Sequence, residues 1–233
     1  MSSNRNDSSH AGLNFEDARR EMVARQIRGR GIASQPVLDA MTSVPRHLFV
    51  PSEHVLQAYE DEPLPIGEGQ TISQPFMVAA MAEALQLGGS EHVLEIGAGS
   101  GYQAAVLSLL AGDVVAVELQ HHLAESARER LTRLGYSNVH LEEGDGSLGW
   151  PAAAPFDAIL VTAGAPAIPP PLIGQLKEGG RLVLPVGAAE HQELLRITRR
   201  QSGNRTEALY ACRFVPLLGR HGWQPNAQEV SGG

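Results

Sequence analysis

Disulfide chemistry is closed to this chain, because its 233 residues include one cysteine, Cys212. A lone thiol closes no loop within the chain and suits a reducing compartment, so a cytoplasmic location is expected. Long apolar runs are also lacking. The longest, Ala104 to Val117, is interrupted by Gly112 and Asp113 and is too short to cross a bilayer, so no membrane partner is expected. Met1 to Gly12 is polar, without the apolar centre of a signal peptide. Positive charge is scarce: 18 Lys+Arg against 26 Asp+Glu leave a net charge of −8. Nucleic-acid binding depends on neutralising phosphates, so nucleic acid is not expected as a partner. The basic spots at Arg28 and Arg30, Arg128 to Arg133, and Arg196 to Arg200 read as solvated faces. Nine histidines are present, but no Cys or carboxylate spacing completes a metal site around the adjacent His121 and His122. No metal is expected.

What remains is a composition of 42% hydrophobic and 19% charged residues, ordinary for a globular protein of this length. Residues 1–12 and 224–233 read as polar tails around a single domain at 13–223. Within it, 13–87 reads as an N-terminal cover. Phe15, Met22, Val23 and Ile27 recur at helical spacing until Gly29 and Gly31. Ser34 or Gln35 caps a second helix running through Met41. Val44 to Gln74 is a wrapping stretch, and Phe76 to Leu85 is helical again. From 88 to 223 strand and helix alternate: His92–Ile96, then Tyr102–Leu110, Val114–Glu118, Gln120–Leu134, Val139–Glu142, Phe156–Thr162 and Arg181–Val186. Such alternation predicts an α/β fold with a parallel sheet covered on both faces. Glu193–Thr198 and Ala208–Val215 flank the turn Gln201-Ser202-Gly203-Asn204 with no helix between them, so the sheet ends in an antiparallel hairpin.

The sharpest local signal is Glu95-Ile96-Gly97-Ala98-Gly99-Ser100-Gly101-Tyr102, which joins the first parallel strand to a helix. Glycines there permit a tight turn and close approach of a ligand to the backbone. The spacing is G-x-G-x-G rather than the G-x-G-x-x-G of dinucleotide sites. Glu118 ends the next strand, where a carboxylate can accept both hydroxyls of a ribose. Asp145-Gly146 follows the third, where an acceptor can read an adenine amino group. Glu95 lies near the loop and suits an ammonium group or a water bound to it. Carboxylates on all these strand ends suit a cationic adenosyl ligand and repel a pyrophosphate.

The chain resembles the protein-L-isoaspartate O-methyltransferase family. The resemblance rests on Val44-Pro45-Arg46-His47-Leu48-Phe49-Val50-Pro51, on Ala58 to Gly67, and on Gly69-Gln70-Thr71-Ile72-Ser73-Gln74-Pro75. It returns in Leu176 to Gly187 and in Phe214-Val215-Pro216-Leu217. It implies a Rossmann-like, seven-stranded class I methyltransferase sheet and S-adenosyl-L-methionine as methyl donor. The implied acceptor is the free α-carboxylate of isoaspartyl residues in damaged proteins and peptides, with repair proceeding through a succinimide. Ser73 falls on the active-site serine. Donor contacts fall on Thr71, Ile72, Glu95, Ile96, Gly97, Ala98, Gly99, Gly101, Glu118, Leu119, Asp145 and Gly146. Acceptor contacts fall on Ile72, Ser73 and Val215, and a monomer is expected. Three places depart from the family pattern: Gly164 after Val161-Thr162-Ala163 differs from many relatives, and Phe76-Met77-Val78 after the serine segment and Leu218 each differ from some.

A carboxylate acceptor has a pKa of about 4 and is ionised at neutral pH, so the chemistry asks for no general base. The lack of an obvious His/Asp pair is consistent with that. Ser73, by local chemistry alone, reads as a helix cap before Gln74-Pro75; the resemblance instead makes it a hydroxyl that orients the acceptor. The rival readings are a methyltransferase for another acceptor, a nucleotide-dependent oxidoreductase, and an adenosyl-binding module without activity.

Overall fold

The apolar spacing after Asn14 produces one helical run whose winding changes along its length. In the computed structural model, which describes residues 14–224, the run begins as α1 (Phe15–Met22), continues as a π-turn (Val23–Ile27) and tightens to a 3-10 turn (Arg28–Arg30). The Asn14 side chain accepts from Glu16 N and Asp17 N at its start, and Gly31, at φ +102°, stops it. The tails expected at 1–12 and beyond Gln224 lie outside the described residues.

α2 spans Gln35–Ser43 and Ser34 occupies its cap position, but the serine side chain makes no capping bond. The expected cap is corrected: Glu83 Oε1 instead accepts from Ala33 N at 2.9 Å and Ser34 N at 2.7 Å. A carboxylate from a distant helix thus meets the amides at the start of α2.

The wrapping stretch carries more order than its Pro and Gly content suggests. Two 3-10 turns (Arg46–Leu48 and Ser52–Gln57) precede an antiparallel pair, β1 (Leu64–Gly67) and β2 (Gln70–Ile72). Glu68 and Gly69 between them both have positive φ, 52° and 69°, the backbone of a tight hairpin. Arg46 is fully buried here. Its Nε donates to Ala58 O at 2.7 Å, and its guanidinium lies 5.0 Å from the centre of the Tyr102 ring. Phe49 meets the same ring edge-on. α3 (Pro75–Leu85) follows, buried almost all round.

β3 (His92–Ile96), α4 (Tyr102–Ser108), β4 (Asp113–Glu118), α5 (His121–Arg133) and β5 (Val139–Glu143) come next. They are followed by β6 (Phe156–Val161), α6 (Pro170–Gly174), β7 (Leu176–Ala188), β8 (His191–Thr198) and β9 (Arg205–Cys212). The prolines at 170 and 171 open α6, as their fixed φ allows. The seven-stranded sheet has the order β5-β4-β3-β6-β7-β8-β9. Its first five strands are parallel, and β8 and β9 add antiparallel to β7. Central strands without polar alternation are buried on both faces. Val93, Val114, Ala116 and Leu160 pack toward α3, α4 and the N-terminal helices, whereas Leu94, Ile96, Val115 and Ile159 pack with Leu172 of α6.

β7 and β9 differ most from the expected bounds, and other strand ends shift by one or two residues. β7 starts at Leu176 rather than Arg181, because Gly179 (φ +77°) and Gly180 absorb a register shift against β6. β9 runs from Arg205 to Cys212, so Phe214 to Leu217 leave the sheet instead of extending it. Cys212 is half-buried in β9, where burial, then Glu193, pushes its thiol up to about 11. Among the described residues no helix is long and apolar enough to cross a membrane.

The Glu83 contact generates a direct comparison. Glu83→Ala should cost about 1–3 kcal/mol, the penalty for stranding backbone donors, while Ser34→Ala should change stability by less than about 0.5 kcal/mol. Chemical denaturation of the two variants measures both, and equal effects would restore Ser34 as the cap.

Candidate active site

The glycine loop turns as its sequence requires. Gly97, at φ +90°, leaves no room for a side chain: an added Cβ would lie 2.6 Å from Thr162 Oγ1. That hydroxyl bonds to the loop itself, donating toward Ile96 O (3.0 Å) and Gly97 O (2.6 Å). Gly101, at φ +84°, faces away from the loop's open side, with a Cβ position 3.2 Å from Leu131 Cδ1 of α5.

Glu118 closes the loop from the neighbouring strand. Its Oε2 accepts from Gly99 N at 2.8 Å and its Oε1 from Gln120 N at 3.0 Å. Each carboxylate oxygen retains a second lone pair for a ligand hydroxyl. Glu95 differs. It is fully buried on β3, and neither of its oxygens has a hydrogen-bond partner among the described residues. Burial, then the nearby Glu118 carboxylate, pushes its pKa well above the ordinary carboxylate range.

The loop and the wrapping stretch enclose an open cavity of about 820 Å³, solvent mouth included. The expected residues Thr71, Ile72, Ser73, Ile96, Gly97, Ala98, Gly99, Glu118, Leu119, Gly146 and Val215 all line it. Three others do not. Gly101 packs on α5, and Glu95 lies beneath the loop. The Asp145 carboxylate is turned to the C-terminal segment, where Oδ1 accepts from Ser147 N and Oγ (2.9 and 2.6 Å) and Oδ2 from Arg220 N (2.8 Å). Burial acts to raise the Asp145 pKa, but the bonds from Ser147 and Arg220 outweigh it and hold the group low. Asp145 thus stands beside the cavity with Oδ1 engaged and one lone pair left on Oδ2, while Gly146 presents backbone to the cavity.

A second cleft, of about 1210 Å³ including open solvent, adjoins the first and is lined by Pro63, Met77, Arg213 and Phe214 among others. Thr71, Ser73, Thr162, Val215 and Pro216 line both. Ser73 thus stands at the junction. The cap reading of Ser73 is corrected as well: α3 has Gln74 at its cap position, without a side-chain cap, and Gln74 O receives Met77 N and Val78 N.

Sequence reasoning missed Gln103, Pro216 and Leu217 as lining residues, and treated Thr162 only as a strand end. Thr162 was reachable, since its strand ends beside the glycine loop in any parallel sheet of this order. Leu218 lines the donor-side cavity. Tyr59 is buried, its hydroxyl 2.7 Å from His47 Nδ1, and Trp223 Nε1 donates to Gly164 O at 3.0 Å. Among the described residues no group of three His, Cys, Asp or Glu is placed to hold a metal.

The residues fit a ligand with positive charge. A dry carboxylate without a donor costs several kcal/mol when ionised, and among the described residues no lining side chain is cationic. Because burial raises Glu95 above its ordinary value of 4.5, folding stability falls as pH rises through that window. Without ligand, the wild type should lose about 1.4 kcal/mol per pH unit relative to Glu95→Gln above that value, until Glu95 ionises. Denaturation from pH 5 to 8 checks this, and parallel pH profiles would refute it.

Known proteins share this arrangement along nearly the whole chain. The family model for protein-L-isoaspartate(D-aspartate) O-methyltransferase matches residues 17–222. A protein-L-isoaspartate O-methyltransferase of Trichlorobacter lovleyi is 54% identical over 216 residues, covering 92% of this chain and 100% of that one. Another, from Methanoculleus marisnigri, is 54% identical over 206 residues, covering 88% and 94%. A solved protein-L-isoaspartate O-methyltransferase superposes with a TM-score of 0.79 at 32% identity, covering 87% of this chain and 67% of that one. A Plasmodium falciparum structure, described as a complex with S-adenosyl-L-homocysteine, shares the fold with a TM-score of 0.73 at 24% identity, covering 86% and 98%. A family match this continuous, carried by both the glycine loop and the wrapping stretch, decides the classification: the chain belongs to the protein-L-isoaspartate(D-aspartate) O-methyltransferase family.

Proposed function

We propose that this enzyme transfers the methyl group of S-adenosyl-L-methionine to the free α-carboxylate of L-isoaspartyl residues, with Ser73 orienting the acceptor. The observation that carries this reading is the meeting of a carboxylate-floored cavity and an outward cleft at Thr71, Ser73, Thr162, Val215 and Pro216. A donor bound in the first and an acceptor entering through the second approach each other only there.

The bound donor supplies an electrophilic methyl carbon on a positively charged sulfur. Glu118 would hold the ribose hydroxyls, Gly97 to Gly99 would present backbone to the amino-acid part, and Glu95, buried under the loop, would balance its positive charge. Gly146 and Leu119 would flank the adenine. Ser73 would donate its hydroxyl to one acceptor oxygen and leave the other free to face the methyl carbon. In that transfer a carbon–oxygen bond would form as the carbon–sulfur bond breaks, its electron pair staying on sulfur. No proton moves, so the junction needs no base. Val215 and Ile72 keep water from the carboxylate, which otherwise stabilises the separated charges more than the transition state. The ester product then closes to a succinimide, reopening the route to the normal linkage.

Damaged proteins and peptides are the acceptors, and the net charge of −8 argues against a nucleic acid. The enzyme acts as a cytoplasmic monomer; the single cysteine supports the compartment.

Two peptides, identical except for isoaspartate or aspartate at one position, test the substrate with methyl-labelled donor. Label should enter the first alone, as a base-labile ester that releases methanol. Equal labelling of both, or base-stable label, would overturn the assignment. Ser73→Ala should lower kcat roughly 10- to 100-fold, the loss of one positioned donor, with the melting temperature nearly unchanged. A fall in activity only in proportion to the unfolded fraction would return Ser73 to a structural part.

A further inference from the structure

Where strand pairing ends, one side chain takes over its work. β9 pairs with β8 up to Cys212, which sits opposite Gln192. The chain then leaves the sheet, yet Phe214 is still held by β8. Gln192 Nε2 donates to Phe214 O at 3.3 Å, and Gln192 Oε1 accepts from Phe214 N at 2.8 Å. The carboxamide thus imitates one more peptide rung, and it does so in a dry setting, since Gln192 is 3% exposed. Its space is set by Gly164. A Cβ there would run into the Gln192 carboxamide, lying 2.6 Å from Oε1.

Gly164 also holds the same segment from the opposite side. Its N–H donates to Val215 O and its carbonyl accepts from Leu217 N, both at 2.8 Å. Val215 and Pro216 lie between these two clamps, and they form the wall common to the donor cavity and the acceptor cleft.

We infer that Gln192 is a positioning residue for the acceptor, fixing Phe214 to Pro216 through its carboxamide in space that only a glycine at 164 leaves open. This rests on the proposed methyl transfer and extends it. The donor's other anchors, the glycine loop and Glu118, belong to β3 and β4 and do not touch the clamp. Disturbing it should therefore affect acceptor and donor unequally. Phe214 N and O would lose their partners in Gln192→Leu, and the common wall would move.

Steady-state kinetics on an isoaspartyl peptide, with calorimetric titration of S-adenosyl-L-homocysteine, separate the two. Gln192→Leu should raise the acceptor KM or lower kcat/KM at least about tenfold, the cost of two unpaired, part-buried backbone groups and a displaced wall, and leave the Kd for S-adenosyl-L-homocysteine within about threefold. Gly164→Ala should give a similar loss by displacing the carboxamide. The pair Gly164→Ala with Gln192→Ala should be no worse than Gln192→Ala alone, because one clamp is lost once. Unchanged acceptor kinetics in Gln192→Leu, equal losses of donor and acceptor binding, or losses that multiply in the pair would each overturn the inference. Wild-type protein that fails to methylate the peptide would instead refute the proposed function.

Discussion

Two carboxylates at the carboxyl ends of adjacent parallel strands impose the constraint from which the site follows. Glu95 is buried on β3 without a hydrogen-bond partner, and Glu118 lies on β4 beside it, its oxygens occupied only by the amides of Gly99 and Gln120. Among the described residues no cationic side chain lines the cavity that Glu118 borders and Glu95 underlies. Negative charge of this kind is tolerated in a protein interior when something positive completes it. A sulfonium donor that also carries an ammonium group is such a complement. A dinucleotide, whose pyrophosphate would face the same carboxylates, is not.

The second half of the arrangement comes from outside the sheet. Thr71 to Ser73 sit on the hairpin formed by β1 and β2, and the buried Arg46 ties the preceding stretch both to Ala58 O and to the Tyr102 ring at the foot of the glycine loop. The N-terminal cover is therefore attached to the donor loop rather than draped over it. From the other side, Gly164 and Gln192 hold Val215 and Pro216 in place. Two segments far apart in sequence converge on one junction, and Ser73 stands in it. Chemistry that needs no proton transfer needs little beyond such alignment.

Much of this was legible in the amino acids. The glycine loop, Glu118 and the alternation of strand and helix follow from local pattern, because a parallel sheet forces its binding loops to strand ends. The terminal hairpin follows from the turn at Gln201 to Asn204. Other features depend on partners that local pattern does not reveal. Glu68-Gly69 lacks the usual Asn-Gly signal, so the hairpin that carries Ser73 read as irregular wrapping. Ser34 looked like a cap, but Glu83, distant in sequence, takes the same amides. Asp145 looked wholly free to read a base, but Ser147 and Arg220 already bond its oxygens and turn it toward the C-terminal segment. Gly164 looked like a simple departure until its space was seen to hold the Gln192 carboxamide.

The central claim is that acidic strand tips bind a cationic donor. Calorimetric titration of the wild type and of Glu118→Ala with S-adenosyl-L-methionine at neutral pH tests it most directly. The account predicts saturable one-to-one binding with thermal stabilisation in the wild type, and affinity at least about tenfold weaker without the Glu118 carboxylate, the loss of charge-assisted bonds to the ribose. A wild-type titration with no heat and no rise in melting temperature would contradict it.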